Sequence, residues 1–242
     1  MTERKAILVM GAGDATGGAI AKRFAREGYV ACVARRHADK LAPLVAAIEA
    51  EGGTALAFGC DAWVEAEVLE LFASIEREVG PLEAVVFNIG ANVQFSITET
   101  TERVYRKVWE MAALAGFLTG REAAKVMLPR ARGSIIFTGA TASLRGRANF
   151  SAFASAKFAL RALAQSMARE LGPQGIHVAH PIIDGAIDTA FIRESFPELY
   201  QRKEQDGILN PEHIAETYWQ IHCQPRDCWV HELDLRPWTE TF

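Results

Sequence analysis

The chain has 242 residues, half of them hydrophobic, and its 26 lysines and arginines against 30 aspartates and glutamates give a net charge of -4. This is enough apolar material for the core of one domain, so we expect a single domain over residues 1–242. The interspersed charge lacks the broad basic surface of a nucleic-acid-binding protein, and no run of about 18 uncharged apolar residues predicts a membrane span. We therefore expect a soluble, cytoplasmic protein that binds neither nucleic acid nor membrane.

Short apolar runs alternate with longer amphipathic stretches along nearly the whole chain. The runs predicted to be strands are KAILVMG, YVACVAR, TALAFGCD, LEAVVFN, GSIIFTG, HVAHPII and CWVHELDL. Runs without strict polar alternation are typical of strands buried on both faces, and strand-helix alternation favours parallel pairing. The pattern predicts an α/β fold: a Rossmann-like, doubly wound, seven-stranded and mostly parallel sheet with helices on both faces.

Glycines crowd the turn between the first predicted strand and the first predicted helix. Gly11, Gly13 and Gly17 lie in this turn, and Gly28 follows the helix as a C-terminal cap. Such a turn lets backbone amides approach a pyrophosphate at the positive end of a helix. Although glycines also serve tight turns for steric reasons alone, the position directly after strand one predicts a dinucleotide site.

The end of the second predicted strand carries arginines where an NAD-binding protein has an acidic residue. Arg35 and Arg36 stand there, and Asp39 lies farther along the chain. Because arginine pairs with a 2'-phosphate, this end favours NADP(H) over NAD(H). The alternative is that both arginines are merely solvated.

These features, with Phe153 and Lys157 four residues apart, resemble the short-chain dehydrogenase/reductase family over almost the full length. In the family's TGxxxGxG turn, two of the four marked positions match; the four are Met10, Gly11, Ala15 and Gly17. Asp61 stands where the family has an adenine-contacting aspartate, and FNIG stands for NNAG. The resemblance implies cofactor binding by Gly11, Gly13, Thr16, Gly17, Arg35, Arg36, Asp61, Ala62, Asn88, Gly90, Lys157, Gly185, Ile187 and Thr189.

The family's catalytic set of Asn, Ser, Tyr and Lys is mostly absent. Phe153 stands at the tyrosine position, Ala140 at the serine position and Ala112 at the asparagine position, while Lys157 is kept. In the family the tyrosine is the acid/base, and a neighbouring lysine cation makes its phenol useful at neutral pH. Because Phe153 has no proton to give, the expected active site is atypical. Candidate replacement groups are Lys157 itself, Thr141, Ser143, Asp184 and Tyr200. The alternative, which the residue types favour, is local turn bonding for Thr141 and Ser143 and packing for Tyr200, and Asp184 could simply cap the turn.

The segment around the sixth predicted strand also departs from the family. This strand is one residue longer than usual and contains Pro181, which cannot donate to a ladder, so we expect a β-bulge there. Residues 191–207 occupy the place of the family's mobile substrate lid. Arg145 and Arg147 lie where the pocket wall runs; they could pair with an acidic substrate or be solvated loop residues.

Two further patterns have structural explanations beside functional ones. HCQPRDCWVH, residues 222–231, gathers two histidines and two cysteines, but the adjacent His222 and Cys223 do not have zinc-site spacing, so we expect no metal site. The alanine-rich segment 152–170 suits close helix packing, either inside the monomer or between subunits as in the family's dimers and tetramers. We expect a homodimer or homotetramer.

Three functions are compatible with the sequence. The first is an NADP(H)-dependent oxidoreductase with an unusual proton-transfer group, acting on a small carbonyl, alcohol or activated double bond. The second is an NADP(H)-binding protein without turnover, such as a redox sensor or the silent partner of an active homologue. The third is a cofactor-independent enzyme that uses the pocket for other chemistry. The lid-like segment and Lys157 favour the first.

Overall fold

The computed structural model of the protein describes residues 4–241. Its centre is a β-sheet with strands β1 (Ala6–Met10), β2 (Val30–Arg35), β3 (Thr54–Gly59), β4 (Leu82–Phe87), β5 (Ser134–Phe137), β6 (Gly139–Ala140), β7 (His177–Ile183) and β8 (Glu232–Leu235). β5 and β6 are two parts of one strand position, because both pair with β7. The order is β3, β2, β1, β4, β5 with β6, β7, β8, and every pairing among these strands is parallel. The predicted seven-position sheet is confirmed.

Helices cover both faces of the sheet, as predicted. They are α1 (Thr16–Arg26), α2 (Ala42–Ala50), α3 (Glu65–Glu78), α4 (Glu102–Trp109), α5 (Ala115–Met127), α6 (Ser151–Leu171), α7 (Ala190–Ser195), α8 (Pro197–Gln201) and α9 (Pro211–His222). Apolar side chains of α1, α2 and α9 form the core on one face, and those of α3, α5 and α6 form it on the other. Because all strands are parallel, their carboxyl ends meet at one edge, which is where ligands bind in this architecture.

Helix α1 shows how the sequence fixes the elements at this edge. Its buried residues Ile20, Ala21 and Phe24 lie on one side, at the spacing of an amphipathic helix. The helix ends before Gly28, whose φ of +84° is the left-handed conformation that glycine adopts most easily. The predicted cap at Gly28 is confirmed.

The predicted bulge at Pro181 is wrong. The pairing of β7 with β5 and β6 keeps one register, from Ser134 opposite His177 to Gly139 opposite Ile182. Pairing with β8 is equally regular, and the backbone N–H of Asp184 donates to the carbonyl of Leu235 at 2.8 Å. The extra residue is therefore accommodated by a longer strand, and the missing proline N–H coincides with the break between β5 and β6.

The alanines of α6 have a role within the chain. Ala152, Ala154, Ala156 and Ala164 are buried among residues of the same chain.

None of the helices found in residues 4–241 has the length and apolar character needed to cross a membrane.

Candidate functional site

Close contacts in the turn after β1 require glycine at several positions. Gly11 has φ +89°, and a Cβ there would lie 2.8 Å from Cγ1 of Ile89. A Cβ on Gly17 would lie 2.7 Å from the carbonyl oxygen of Gly11, and one on Gly18 only 2.1 Å from the carbonyl oxygen of Gly13. Gly13 itself has open space where a side chain would be. The turn thus packs against the start of α1 while leaving its outer backbone free, as an anion-binding turn requires.

Gly18 was not among the residues predicted from the sequence. The only signal was its place directly after Gly17. Glycine at this position allows α1 to pack closely against the turn, and only the three-dimensional structure reveals this contact.

Asn88 joins the turn to the neighbouring strand end. Its backbone N–H donates to the carbonyl of Met10 at 2.8 Å, and its side-chain amide donates to the carbonyl of Gly11 at 3.2 Å. The residue therefore fixes the end of β4 against the end of β1. Gly90, two residues later, has open space beside it.

Positive charge surrounds the end of β2. Arg35 and Lys40 line an open cleft of about 990 Å³ beside the glycine turn, whose walls also contain Gly13 and Thr189. Arg36 is placed differently, because its guanidinium lies over the ring of Trp63 at 5.3 Å. Of the two arginines, Arg35 is the one that faces the cleft.

Asp61 and Ala62 follow β3 beside this tryptophan. Ala62 is buried, and Oδ1 of Asp61 is buried without a hydrogen-bond partner. Burial raises the pKa of Asp61, while Arg36 and Lys107 act in the opposite direction. Lys107 lies over the same Trp63 ring as Arg36, with its Nζ 3.4 Å from the ring centre. An unsatisfied buried carboxylate oxygen is a free acceptor for a ligand N–H group.

Lys157 is buried where β4 and β5 end. Its ammonium donates to the carbonyl of Thr138 at 2.9 Å and to that of Ile89 at 3.4 Å, and the residue is 3% exposed. Burial lowers its pKa to about 8, because a charged form is costly away from water. Thr138 is fixed in turn by the Tyr218 hydroxyl, which donates to Oγ1 of Thr138 at 2.8 Å.

The three positions predicted to lack the family's catalytic side chains form an apolar patch. Phe153 is 7% exposed and packs in a small cluster that includes Ala112, with Ala140 packed against it. The ring centre of Phe153 lies 5.9 Å from the ammonium of Lys157. Ala112 lies in a π-helical turn, Glu110–Leu114, between α4 and α5. These three side chains carry no acid, base or hydrogen-bonding group.

Hydroxyl and carboxyl groups gather beside Ala140. Asp184 is fully buried; its Oδ1 accepts from the Thr141 hydroxyl at 2.6 Å and is approached by Arg145 at 3.4 Å, whereas its Oδ2 has no partner. Ser143 is also fully buried, and its Oγ accepts from the backbone N–H of Ala140 at 3.1 Å. Thr141 is only partly buried, so of the three it is the one open to a ligand.

The family-model comparison decides which family has this arrangement. The model described as short chain dehydrogenase matches residues 5–199, about four-fifths of the chain. The protein belongs to the short-chain dehydrogenase family. A short-chain dehydrogenase/reductase of Armillaria gallica is 32% identical over 181 residues, covering 74% of this chain and 69% of the relative.

Two solved structures agree with this chain over the whole fold. A short-chain dehydrogenase from Rhodopseudomonas palustris is 50% identical, with a TM-score of 0.84 over 97% of this chain and 99% of that one. An alcohol dehydrogenase from the archaeon Thermococcus sibiricus, complexed with 5-hydroxy-NADP, is 25% identical, with a TM-score of 0.87 over 99% of both chains.

In this short-chain dehydrogenase, the segment after β7 closes the site from the other side. Gly185 has φ +153°, and a Cβ there would lie 2.7 Å from Cδ of Pro237. Ile187 forms a bridge with Leu209, and Oγ1 of Thr189 accepts from the N–H of Ile192 at 3.1 Å, which caps α7. These three residues were predicted to contact the cofactor, and they also hold the base of the lid-like segment.

The lid-like segment forms α7, α8 and a short 3-10 turn. Phe191 and Phe196 are exposed, with ring centres 5.8 Å apart. Tyr200 lies on α8, with the ammonium of Lys203 5.6 Å from its ring centre. The contacts of Tyr200 thus belong to the segment itself, and they do not connect its hydroxyl to Lys157.

The two histidines of residues 222–231 have structural partners, and the two cysteines are free and exposed. His222 bonds to the Tyr29 hydroxyl at 2.8 Å and to the Ser134 hydroxyl at 2.6 Å, and Nδ1 of His231 bonds to the carbonyl of Val178. Within residues 4–241, no group of three or more His, Cys, Asp or Glu side chains is arranged to hold a metal ion.

The described site fits a dinucleotide. The glycine turn leaves no room for side chains at Gly11 and Gly17, and the buried Oδ1 of Asp61 is free to accept. The ammonium of Lys157 donates its hydrogen bonds to backbone carbonyls. These are three separate places where a ligand phosphate, amine or hydroxyl finds a matching group.

Proposed function

We propose that this short-chain dehydrogenase is an NADP(H)-dependent oxidoreductase acting on a small carbonyl, an alcohol or an activated double bond, with a non-standard active site. The observation that carries the proposal is the position of Lys157. Its buried ammonium is held at the ends of two strands by backbone carbonyls alone. Burying such a charge is costly, and bonds to a ligand's hydroxyl groups would offset the cost.

The cofactor would lie along the carboxyl edge of the sheet. In this proposal the turn of Gly11, Gly13, Thr16 and Gly17 holds the pyrophosphate, and Arg35 pairs with a 2'-phosphate. The Thermococcus sibiricus enzyme, which shares the fold throughout, is complexed with an NADP derivative, and this supports the choice. The bound cofactor supplies hydride transfer, while the chain binds, orients and handles protons.

The proton-handling groups are assigned from burial. Asp184 is fully buried, so we place Thr141 against the substrate oxygen and let Asp184 act through the Thr141 hydroxyl, 2.6 Å away. Lys157, with a pKa of about 8, is the group near the site whose proton is available at neutral pH. Ser143 is bonded to the backbone of Ala140, and Tyr200 to its own segment, which makes both weaker candidates.

We also propose a homodimer or homotetramer in the cytoplasm. Tyr105, Trp109 and Phe117 are exposed aromatic residues on α4 and α5, and Phe158 is exposed on α6. Large exposed apolar side chains on neighbouring helices are typical of subunit contacts. Light scattering after size-exclusion chromatography should give a mass of two or four chains; a mass of one chain would contradict the proposal.

Hydride transfer is tested directly with deuterium. NADPH labelled at C4 of nicotinamide, separately on each face, is incubated with the protein and a small-molecule extract, and products are read by mass spectrometry. We expect one face to deliver label to a product. Lys157→Met should abolish the labelled product, whereas Lys125→Met, at an exposed lysine of α5, should not.

A second function is favoured by the apolar packing of Phe153. A side chain that is 7% exposed among alanines belongs to a stable small core, which suits a protein that binds NADP(H) without turning it over. Tight NADPH binding without transfer of label to any product would establish this alternative, a redox sensor or the silent partner of an active homologue, and refute turnover. Absence of NADPH binding would refute both.

A further inference from the structure

A chain of buried polar residues lies beneath the replaced serine position and outside the site described above. His180 of β7 is fully buried, and its Nδ1 lies 3.1 Å from Oε1 of Glu232 on the paired strand β8. Arg161 of α6 holds the same carboxylate with two bonds of 2.7 and 2.8 Å. Because a charged carboxylate accepts hydrogen bonds, Nδ1 of His180 is the protonated nitrogen, and Nε2 is left as an acceptor.

Nε2 of His180 is buried and has no hydrogen-bond partner. It lies against Gly139, where a Cβ would be only 2.7 Å away, so glycine is required at that position. The residue before it, Thr138, gives its carbonyl to Lys157. The imidazole therefore lies under the same short segment that anchors the lysine.

Lys157 and Arg161 are one turn apart on α6, and Arg161 shares the Glu232 carboxylate with His180. The positive charges of both residues act on the imidazole, and burial lowers the pKa of His180 to about 4. Glu232 is the acidic group of β8 that faces His180. The negative charge of Asp234, on the same strand, acts on Arg161. One imidazole is thus surrounded by two cations and one carboxylate.

We propose that His180, held by Glu232, is a positioning residue for Lys157. The bond to Glu232 keeps the imidazole uncharged, with its acceptor nitrogen Nε2 toward residues 138–139, which anchor the lysine. The uncharged imidazole in turn keeps the positive charge on Lys157. Neutral His180 presents the negative end of its dipole, at Nε2, to residues 138–139. The carboxylate of Glu232, on the other side of the imidazole, balances the positive charge of Arg161. A protonated His180 would add a third positive charge to those of Lys157 and Arg161. Only the expected effect on NADPH binding rests on the proposed function.

The test follows the titration of Lys157 itself. Lysine side chains are labelled with ¹³C at Cε, and the Lys157 signal is assigned by its loss in Lys157→Met. In His180→Leu, hydrocarbon replaces the polar imidazole, and in Glu232→Gln a negative charge is lost. Both changes should move the midpoint of the Lys157 titration downward by about one pH unit.

The matched control is His177→Leu, because His177 is a buried histidine of the same strand that stacks on Trp229 at 4.8 Å. The Lys157 midpoint should stay unchanged in this variant. An unchanged midpoint in both His180→Leu and Glu232→Gln would overturn the proposal, and so would a shift in Glu232→Gln alone, since the carboxylate would then act without the imidazole.

NADPH affinity gives a second, independent measurement. If charged Lys157 holds the ribose, the pH at which NADPH binding weakens should fall by the same amount as the lysine midpoint in both variants. Wild-type protein that does not bind NADPH would refute the proposed function, whereas the lysine titration would still decide the role of His180.

Discussion

At the scale of single residues, Phe153 and Ala140, which we place at the family's tyrosine and serine positions, allow a gain-of-function experiment. A tyrosine at 153 would place a phenol close to the Lys157 ammonium, which lies 5.9 Å from the present ring centre, and a serine at 140 would restore a hydroxyl beside it. We expect Phe153→Tyr combined with Ala140→Ser to raise the rate of carbonyl reduction about 10²- to 10⁴-fold, the usual contribution of a positioned acid. Stopped-flow loss of NADPH absorbance measures this, with each single variant as control; an unchanged rate would contradict the assigned site.

We also expect single side chains to decide the choice of cofactor. Arg35 lines the cleft, whereas Arg36 lies over Trp63. A charge-assisted hydrogen bond contributes about 1.5–3 kcal/mol, so Arg35→Ala should raise the Kd for NADPH roughly 10- to 100-fold and leave that for NADH little changed. Arg36→Ala is the matched control with the smaller expected effect. Calorimetric titration would contradict the assignment if the two variants behaved alike.

At the scale of elements, the contact between the glycine turn and α1 separates stability from binding. A methyl group on Gly18 would collide with the carbonyl oxygen of Gly13 at 2.1 Å, whereas Gly13 has open space. Gly18→Ala should therefore reduce the free energy of unfolding by about 1–3 kcal/mol, the usual cost of overpacking, measured by urea denaturation. Gly13→Ala should leave stability almost unchanged but weaken NADPH binding. Equal stability losses in both variants would show that the turn does not have this packing.

The elements also show what the sequence could and could not predict. Apolar runs and helical periodicity predicted the sheet and its helices, because those patterns are local. The bulge at Pro181 was predicted from local chemistry and is wrong, since pairing with β8 keeps β7 regular. The bond between His180 and Glu232 joins residues 52 positions apart, and the collision that requires Gly18 arises only when α1 packs on the turn. The spacing of residues along the sequence does not predict such contacts.

At the scale of the whole molecule, two buried histidines make stability depend on pH. Burial lowers the pKa of His180 and of His222 to about 4, so neither is protonated in the folded protein at mildly acidic pH. In the unfolded chain both have ordinary pKa values near 6.5 and bind protons as the pH falls below about 7. The unfolded state then binds more protons than the folded state, and linkage requires the free energy of unfolding to fall.

Each histidine should account for a loss of roughly 2 kcal/mol between pH 7.5 and pH 5, from the difference between the two pKa values. The lowered pKa of Glu232 has its effect below this range, since that carboxyl is ionised in both states above its ordinary value. Urea denaturation at the two pH values measures the loss, and His222→Gln, which has no titrating group, should remove the share of roughly 2 kcal/mol that belongs to His222. An equal loss in wild type and His222→Gln would mean that His222 becomes protonated inside the folded protein, with its bonds to Tyr29 and Ser134 rearranged.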